Sequence, residues 1–355
     1  SSFQSSLAAL ASPEKFTGVA ASITDTTLAS VSATSKAVTG SHSMEIQTLA
    51  QSQKLKSANF ATTGTTIGSG TMTIQFGTYS GGTFTLNPDK AAQSITISPN
   101  NSSLAGIRDA INLADAGVTA SIVNDGSGNR LVIASEDTGL SNALKITTTD
   151  ADGNNTDNAG LSQLVYDAST GGTTNLAETV SASNATLVID GISISKASNK
   201  ITDALEGVTL DLLKTNVGST TTLNLTRDTA SIQGAITGFV KSFNDLNKTI
   251  TDLSKYNAET KQASILTGDS TVRSIQTKLR SAISDPLTSA GGGLSLLSEV
   301  GVSFQADGTL KFDSTKLSKV LSDPTKDVST LFASVGKTSD SLVSFVRAES
   351  DTANG

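Results

Sequence analysis

Seven apolar residues late in the chain, Ile232, Ile236, Phe239, Phe243, Leu246, Ile250 and Leu253, follow one another at intervals that alternate between four and three. That is the a/d spacing of a coiled-coil helix, sustained over about three heptads. An amphipathic helix on an ordinary globular core carries a wider apolar stripe. Here the stripe is bordered by Lys241, Asn244, Asp245, Lys248, Thr249 and Asp252, so it is narrow. The pattern predicts packing in a bundle or coiled coil, and leaves open whether the partner helix is in the same chain. A shorter copy of the spacing, Phe3, Leu7 and Leu10, opens the chain and is closed by Pro13, which cannot continue a helix.

Between these ends the sequence reads as strands and turns. Residues 26–36 look extended, and from Ser41 the apolar Met44 and Ile46 alternate with Ser43, Glu45 and Gln47, the period of a half-buried strand. The Gly/Thr-rich stretch 61–70 suggests a crossing between domains. Strands are predicted at 71–77, 83–87, 93–98, 118–124, 129–135 and 142–149, with a hairpin turn at Asp125–Gly128. One helix, 102–115, sits among them, capped by Ser102 or Ser103, with Leu104, Ile107 and Ile111 on one face. Residues 150–175 are polar and turn-rich and read as a long surface loop or an irregular excursion.

A second β segment follows, with a hairpin of 185–190 and 192–196 around Asp190-Gly191, a short helix near 200–205, and strands 208–214 and 220–227. After the seam, 269–284 forms another helical pattern, capped by Asp269 or Ser270, and 287–297 is a Gly-rich loop. Val302, Phe304, Leu310 and Phe312 then flank Asp307-Gly308 as a hairpin, and helical patterns at 314–321 and 338–349 finish the chain. The fold class expected is α+β and multidomain. Residues 1–36 and 229–355 would form a helical, coiled-coil-like leg, 37–62 and 183–228 a β-rich head, and 63–182 a second β-rich head inserted into the first.

Composition narrows the function. At 355 residues there is room for two or three cores. Charged residues are only 16% and the net charge is −7. No run of basic residues offers a phosphate-binding stripe, so nucleic acid is not an expected partner. No window approaches the roughly 20 apolar residues of a membrane span, and no membrane partner is expected. Cysteine is absent, which removes disulfides, thiolate metal sites and a Cys nucleophile, and suits a protein exported unfolded. The start shows neither a basic nor an apolar leader region, and the expectation is a fragment of a protein exported without a cleaved signal.

Catalytic candidates fail one at a time. His42, the sole histidine, falls on a predicted strand, where a structural or solvated role is expected. No Gly-x-Ser-x-Gly elbow exists. Gly336-Lys337-Thr338 looks like the end of a P-loop, but Leu331 stands where its first Gly belongs. Ser193/Lys196 is the kind of pair a Ser-rich chain produces by chance. Asp150, Asp152, Asn154 and Asp157 suggest a calcium loop, yet Asn155 and Leu161 occupy the places an EF-hand gives to Gly and Glu. Neither a catalytic residue, a metal nor a cofactor is expected; the candidate site is the seam itself.

Four stretches carry a resemblance to a known family. They are GSHSMEIQTLAQSQKLKS (Gly40–Ser57), Ser103–Gly139 with its Ala110–Asn112 "AIN", and NATLVIDGISISKASNKITDALEGVTLDLL (Asn184–Leu213). The fourth is the run from Phe239-Val240 through Phe243-Asn244 and Leu266–Ser270 to Val300-Gly301-Val302 and Asp307–Leu310. In this order they resemble the bacterial flagellar filament cap family, hook-associated protein type 2; the second also resembles the IN motif shared with flagellins. The resemblance implies a helical leg built from both ends, two β-rich heads, and a ring-shaped homo-oligomer at the distal, extracellular tip of the flagellum. There it would promote folding and polymerisation of exported flagellin and prevent its loss. Hook–filament junction proteins and an export chaperone are implied as further partners. A surface adhesin whose polar head binds host glycans is the alternative. A glycan-cleaving enzyme would need a carboxylate pair that no spacing singles out.

Overall fold

The computed structural model describes residues 2–11, 16–257, 262–286, 293–323 and 325–335. The chain begins with α1 (Ser2–Ala11), β1 (Val19–Ile23), β2 (Ala29–Ala33), β3 (Gly40–Thr48) and β4 (Lys54–Lys56). Next come β5 (Gly70–Ser80), β6 (Thr83–Leu86), β7 (Gln93–Ile97), α2 (Leu104–Leu113), β8 (Val118–Asn124), β9 (Asn129–Ser135) and β10 (Ala143–Asp150). They are followed by β11 (Ala177–Val180), β12 (Ala185–Ile189), β13 (Ile192–Lys196), β14 (Lys200–Ile201), β15 (Val208–Leu212) and β16 (Thr221–Arg227). The last part holds α3 (Thr229–Ser254), β17 (Tyr256–Asn257), β18 (Gln262–Ala263), α4 (Ser270–Ser284), β19 (Val302–Phe304), β20 (Leu310–Phe312) and α5 (Ser314–Leu321). The chain is thus a mixed helix-and-sheet protein. It divides into two compact units, one of residues 1–20, 33–39 and 225–355, the other of 21–32 and 40–224.

The second unit is β-rich. In one of its sheets β16, β3, β12 and β13 lie side by side, and in another β14, β15 and β2. Residue alternation sets the register: on β12, Leu187 faces Ile46 and Ile194, and Ile189 faces Met44 and Ile192. β5 pairs with β10, β6 and β7, placing Met72, Ile74 and Phe76 opposite Thr148, Ile146 and Leu144. Lys54–Lys56, on the near side of the boundary expected at residue 62, pairs with β9 and β11. The side chains of Leu104, Ile107 and Ile111 on α2 complete a core with Leu55, Ile74, Phe76, Leu131, Ile133 and Ile146.

Residues 61–70 are tied down in place: Ile67 is buried, its N–H donates to Ser102 O at 2.8 Å, and Thr65 O accepts from Leu104 N–H at 3.0 Å. Of the two readings of 150–175 the irregular excursion is the one found, since Leu161, Leu164 and Tyr166 join the core. Its polar residues tie down its own backbone, Asp150 accepting from Ser162 N–H at 2.7 Å and Asp157 from the Ser162 hydroxyl at 2.6 Å. Those bonds satisfy groups that would otherwise need water and let the leucines turn inward. Near 200–205 there is no helix: Ile201 is buried on β14 opposite Leu210, where a β-branched side chain packs well.

The first unit is helical. Three of its helices begin at an aspartate cap: Asp228 accepts from Ser231 N–H at 2.9 Å, Asp269 from Thr271 N–H at 2.7 Å, and Asp313 from Thr315 N–H at 3.0 Å. Each cap supplies an acceptor for an orphan N–H and a negative charge at the positive end of the helix dipole. Residues 328–335 are also helical and bury Val328, Leu331, Phe332 and Val335, an element that the periodicity of the sequence did not mark. The predicted helix at 338–349 lies outside the described residues, as do 287–292 of the Gly-rich loop. Among the described residues no helix is long and apolar enough to cross a membrane.

Candidate functional site

The seam on α3 changes character along its length. Ile232, Ile236, Phe239 and Phe243 are buried, Leu246 and Ile250 are half-buried, and Leu253 is 40% exposed. The buried part has its partner in the same chain. Phe3 on α1 sits 5.8 Å from Phe239 and 6.0 Å from Phe243, ring centre to ring centre, and Leu10 joins the same core. Phe243 also meets Phe304 of β19 edge-on at 5.6 Å, and Phe16 stacks on Phe332 at 5.4 Å. Such aromatic pairs add to what area burial alone supplies. The structure therefore brings Ile232, Ile236, Phe239 and Phe243 together against α1 and packs Leu246 beside them. Ile250 and Leu253 lie outside that core.

Past Phe243 the surface opens into a cleft of about 600 Å³ between α3, α4 and the β19–β20 hairpin. Phe243, Ile250 and Leu279 supply apolar lining, while Asn247, Arg273 and Arg280 bring polar groups. Arg280 lies over the Phe304 ring at 5.1 Å, a cation–π contact. On the outer face of α3, Lys241 pairs with Asp245, and Lys248 and Lys255 both pair with Asp252, at 2.6, 2.6 and 2.9 Å. Hydrogen bonds from Lys248 and then Lys255 hold the Asp252 carboxyl at about 2, well below its ordinary value. Neither Arg273 nor Arg280 was singled out from the sequence. Their i, i+7 spacing on one face of a helix was the signal available.

The other residues singled out by sequence have local roles. His42 Nδ1 lies 2.7 Å from Asp190 Oδ2, and Asp190 Oδ1 accepts from Ser43 N–H at 2.8 Å. Asp190 holds a left-handed φ of 50° in the β12–β13 turn, and the hydrogen bond from His42 lowers its carboxyl pKa. Asp150 and Asp157 face the 3-10 turn at Gly160–Leu164, as described above, and Asp152 accepts from Asn154 N–H at 2.9 Å. Ser193 and Lys196 lie on β13, and Lys196 pairs with Asp203 at 2.6 Å. Gly336-Lys337-Thr338 lies outside the described residues.

Fold and site together define a class: a mixed helix-and-sheet protein whose most developed feature is the packing of α1 and residues 328–335 with α3 in one core. Sequence profiles described as Flagellar hook-associated protein 2 N-terminus and C-terminus match residues 1–53 and 182–348, and the Flagellin hook IN motif matches 81–137. The chain belongs to the flagellar hook-associated protein 2 family. It is 36% identical over 347 residues to flagellar hook-associated protein 2 of Escherichia coli K12, covering 94% of this chain and 70% of that one. The B-type protein of Pseudomonas aeruginosa is 32% identical over 344 residues, with 94% and 69% covered. In three dimensions the chain is similar to the D1-D2-D3 domains of the flagellar cap protein FliD from Escherichia coli, with a TM-score of 0.76, 33% identity, and 99% and 96% of the two chains covered.

Proposed function

We propose that this chain caps the flagellar filament: it sits at the distal, extracellular tip, promotes folding and polymerisation of exported flagellin, and prevents its loss. The observation that carries this is the similarity to the Escherichia coli cap over nearly the whole of both chains. The mechanism is geometric, not enzymatic. A homo-oligomeric ring stands on its legs, and flexing of the legs opens one gap at a time for an incoming flagellin. Residues 1–36 and 229–355 are the leg, 37–62 with 183–228 one head, and 63–182 the inserted head. The seam from Ile232 to Leu253 is the leg's coiled-coil packing surface. Support for the leg comes from α1 packing against α3 in a core that also holds Phe332. Hook–filament junction proteins and an export chaperone are the further partners. The test is a strain lacking the protein: monomeric flagellin should spill into the medium, and the full-length protein should restore filaments. Intact filaments in that strain would refute capping.

A further inference from the structure

Arg280 carries a guanidinium that the fold leaves without a counter-charge. It lies over the Phe304 ring at 5.1 Å, and among the described residues no carboxylate comes within ion-pair distance of it. By contrast, Arg108 and Arg130 each pair with an aspartate, at 2.7 and 2.6 Å. Arg280 lines the cleft between α3, α4 and the β19–β20 hairpin, together with Arg273, Asn247 and Asp307. The carboxylate of Asp307 is engaged by its own turn, accepting from Thr309 N–H at 2.9 Å and from the Thr309 hydroxyl at 2.6 Å.

Two donors of this cleft converge on one point. A Cβ placed on Gly308 would stand 3.0 Å from Arg280 Nη2 and 3.8 Å from Asn247 Nδ2, so groups from α4 and α3 flank the space above the hairpin turn. Gly308 holds a left-handed φ of 82°, and its missing side chain keeps that space clear. The Asn247 amide has no hydrogen-bond partner among the described residues. Beside these donors the lining turns apolar, with Phe243, Ile250 and Leu279. A cleft of about 600 Å³ with an apolar wall and a few convergent polar groups has the make-up of a small-molecule site. A guanidinium fork with an amide donor next to it selects an oxyanion, best a carboxylate in bidentate geometry.

We propose that this cleft binds a small amphiphilic carboxylate. The head sits over Gly308 on Arg280 and Asn247, and the aliphatic body lies along Ile250, Leu279 and Phe243. Arg273 adds positive charge from two helical turns away, about 10 Å along the axis, while giving one N–H to Gly268 O at 3.1 Å. Head and body are both needed: a bare anion leaves the apolar wall wet, and a neutral chain leaves the guanidinium unpaired. Such a ligand touches α3, α4 and the hairpin at once, so its binding ties three elements of the helical unit together and stabilises them by mass action. The site belongs to the chain by itself, whether or not that chain caps a filament.

Hexanoate is the probe, titrated into the purified chain by calorimetry and added to thermal melts followed at the helical transition, with acetate, hexanol and inorganic phosphate as comparators. Hexanoate should bind at one site and raise the helical midpoint with concentration. Acetate and hexanol, each lacking one half of the ligand, should bind more weakly. Arg280→Gln, at an exposed position, should leave the ligand-free melt unchanged and weaken hexanoate about tenfold or more, the scale of a lost charge-assisted hydrogen bond. Gly308→Asn brings in a residue that tolerates left-handed backbone and fills the head position, so it should fold and lose binding. Phosphate binding as tightly as hexanoate would mean an adventitious ion only and would overturn the assignment. So would hexanoate binding that both variants leave untouched, or the absence of saturable binding at millimolar concentrations.

Discussion

Three asparagines act as side-chain stand-ins for a strand. Asn244 on α3 donates from Nδ2 to Leu310 O at 2.9 Å and accepts from Leu310 N–H at 2.7 Å. Asn112 on α2 does the same to Ala120, at 2.9 and 2.7 Å, and Asn199 to Ala50, at 3.0 and 2.8 Å. Only a primary amide presents one donor and one acceptor side by side in this way. Leu310 and Ala120 are buried, so removing the clamp strands a backbone pair away from water. Asn244→Ala is expected to cost about 1–3 kcal/mol in denaturant unfolding, with faster amide exchange at 310. Asn244→Asp, which keeps the acceptor but turns a carboxylate on the Leu310 carbonyl, should do no better. An Asp variant as stable as wild type would show that the donor contributes nothing. The "AIN" in the sequence marked Asn112 as part of a motif, but its role as a clamp was not legible, because its partner is named by the turn geometry after α2 and not by spacing.

At the scale of elements, α3 was legible because its seven-residue repeat states both its length and its buried face. Its N-terminus was legible too, since Asp228 stands where the period changes from two to three and a half. Asp228 accepts from the Ser231 hydroxyl and then the Ser231 N–H, and these bonds lower its carboxyl pKa. A carboxyl lowered on folding stabilises the native state above its unfolded pKa, and that contribution disappears as pH falls through the folded value. Asp228→Asn keeps the cap at neutral pH, because Asn caps about as well as Asp, whereas Asp228→Ala should cost about 0.5–2 kcal/mol there. Comparing urea midpoints of the wild type and the Asp228→Asn variant between neutrality and acid should show a shallower acid loss for the variant; parallel curves would remove the cap from the pH dependence. The segment around 200 was misread because its local pattern suggested a helix, whereas pairing with β15 opposite Ile201 decided the outcome. Around 160 two readings stood open, and the bond from Ser162 N–H to Asp150 that folds the excursion back is not marked by any periodicity. The helix at 328–335 was missed for a related reason, as its short apolar pattern acquires a buried face only when Phe332 finds Phe16.

The molecule as a whole contains cores that share no side chain: one of Leu104, Ile107, Leu131 and Ile146 with their neighbours, another of Phe3, Phe239, Phe243 and Phe332 with theirs. A protein built this way need not unfold in one step, and a substitution should act on the transition of the core that holds it. Phe243 is nearly fully buried and contacts two other rings. Phe243→Ala is therefore expected to cost about 3–5 kcal/mol, the usual penalty for truncating a buried phenylalanine. For a unit of this size each kcal/mol moves the midpoint by roughly 2–4 °C, so the helical transition should fall by roughly 6–20 °C. Ile107→Ala, costing about 2–5 kcal/mol in the other core, should instead move the β-rich transition. Calorimetry of the two variants separates these outcomes, with helical ellipticity followed in parallel. If Phe243→Ala left the helical transition in place and sedimentation showed only loss of oligomer, the phenylalanine would serve contacts between subunits, and the intrachain packing of α1 on α3 would not be what holds the leg. If both variants moved a single common transition, the two cores would be one cooperative body. In that case a flexing leg could not leave the head undisturbed, and the geometric mechanism of capping would need the whole subunit to move.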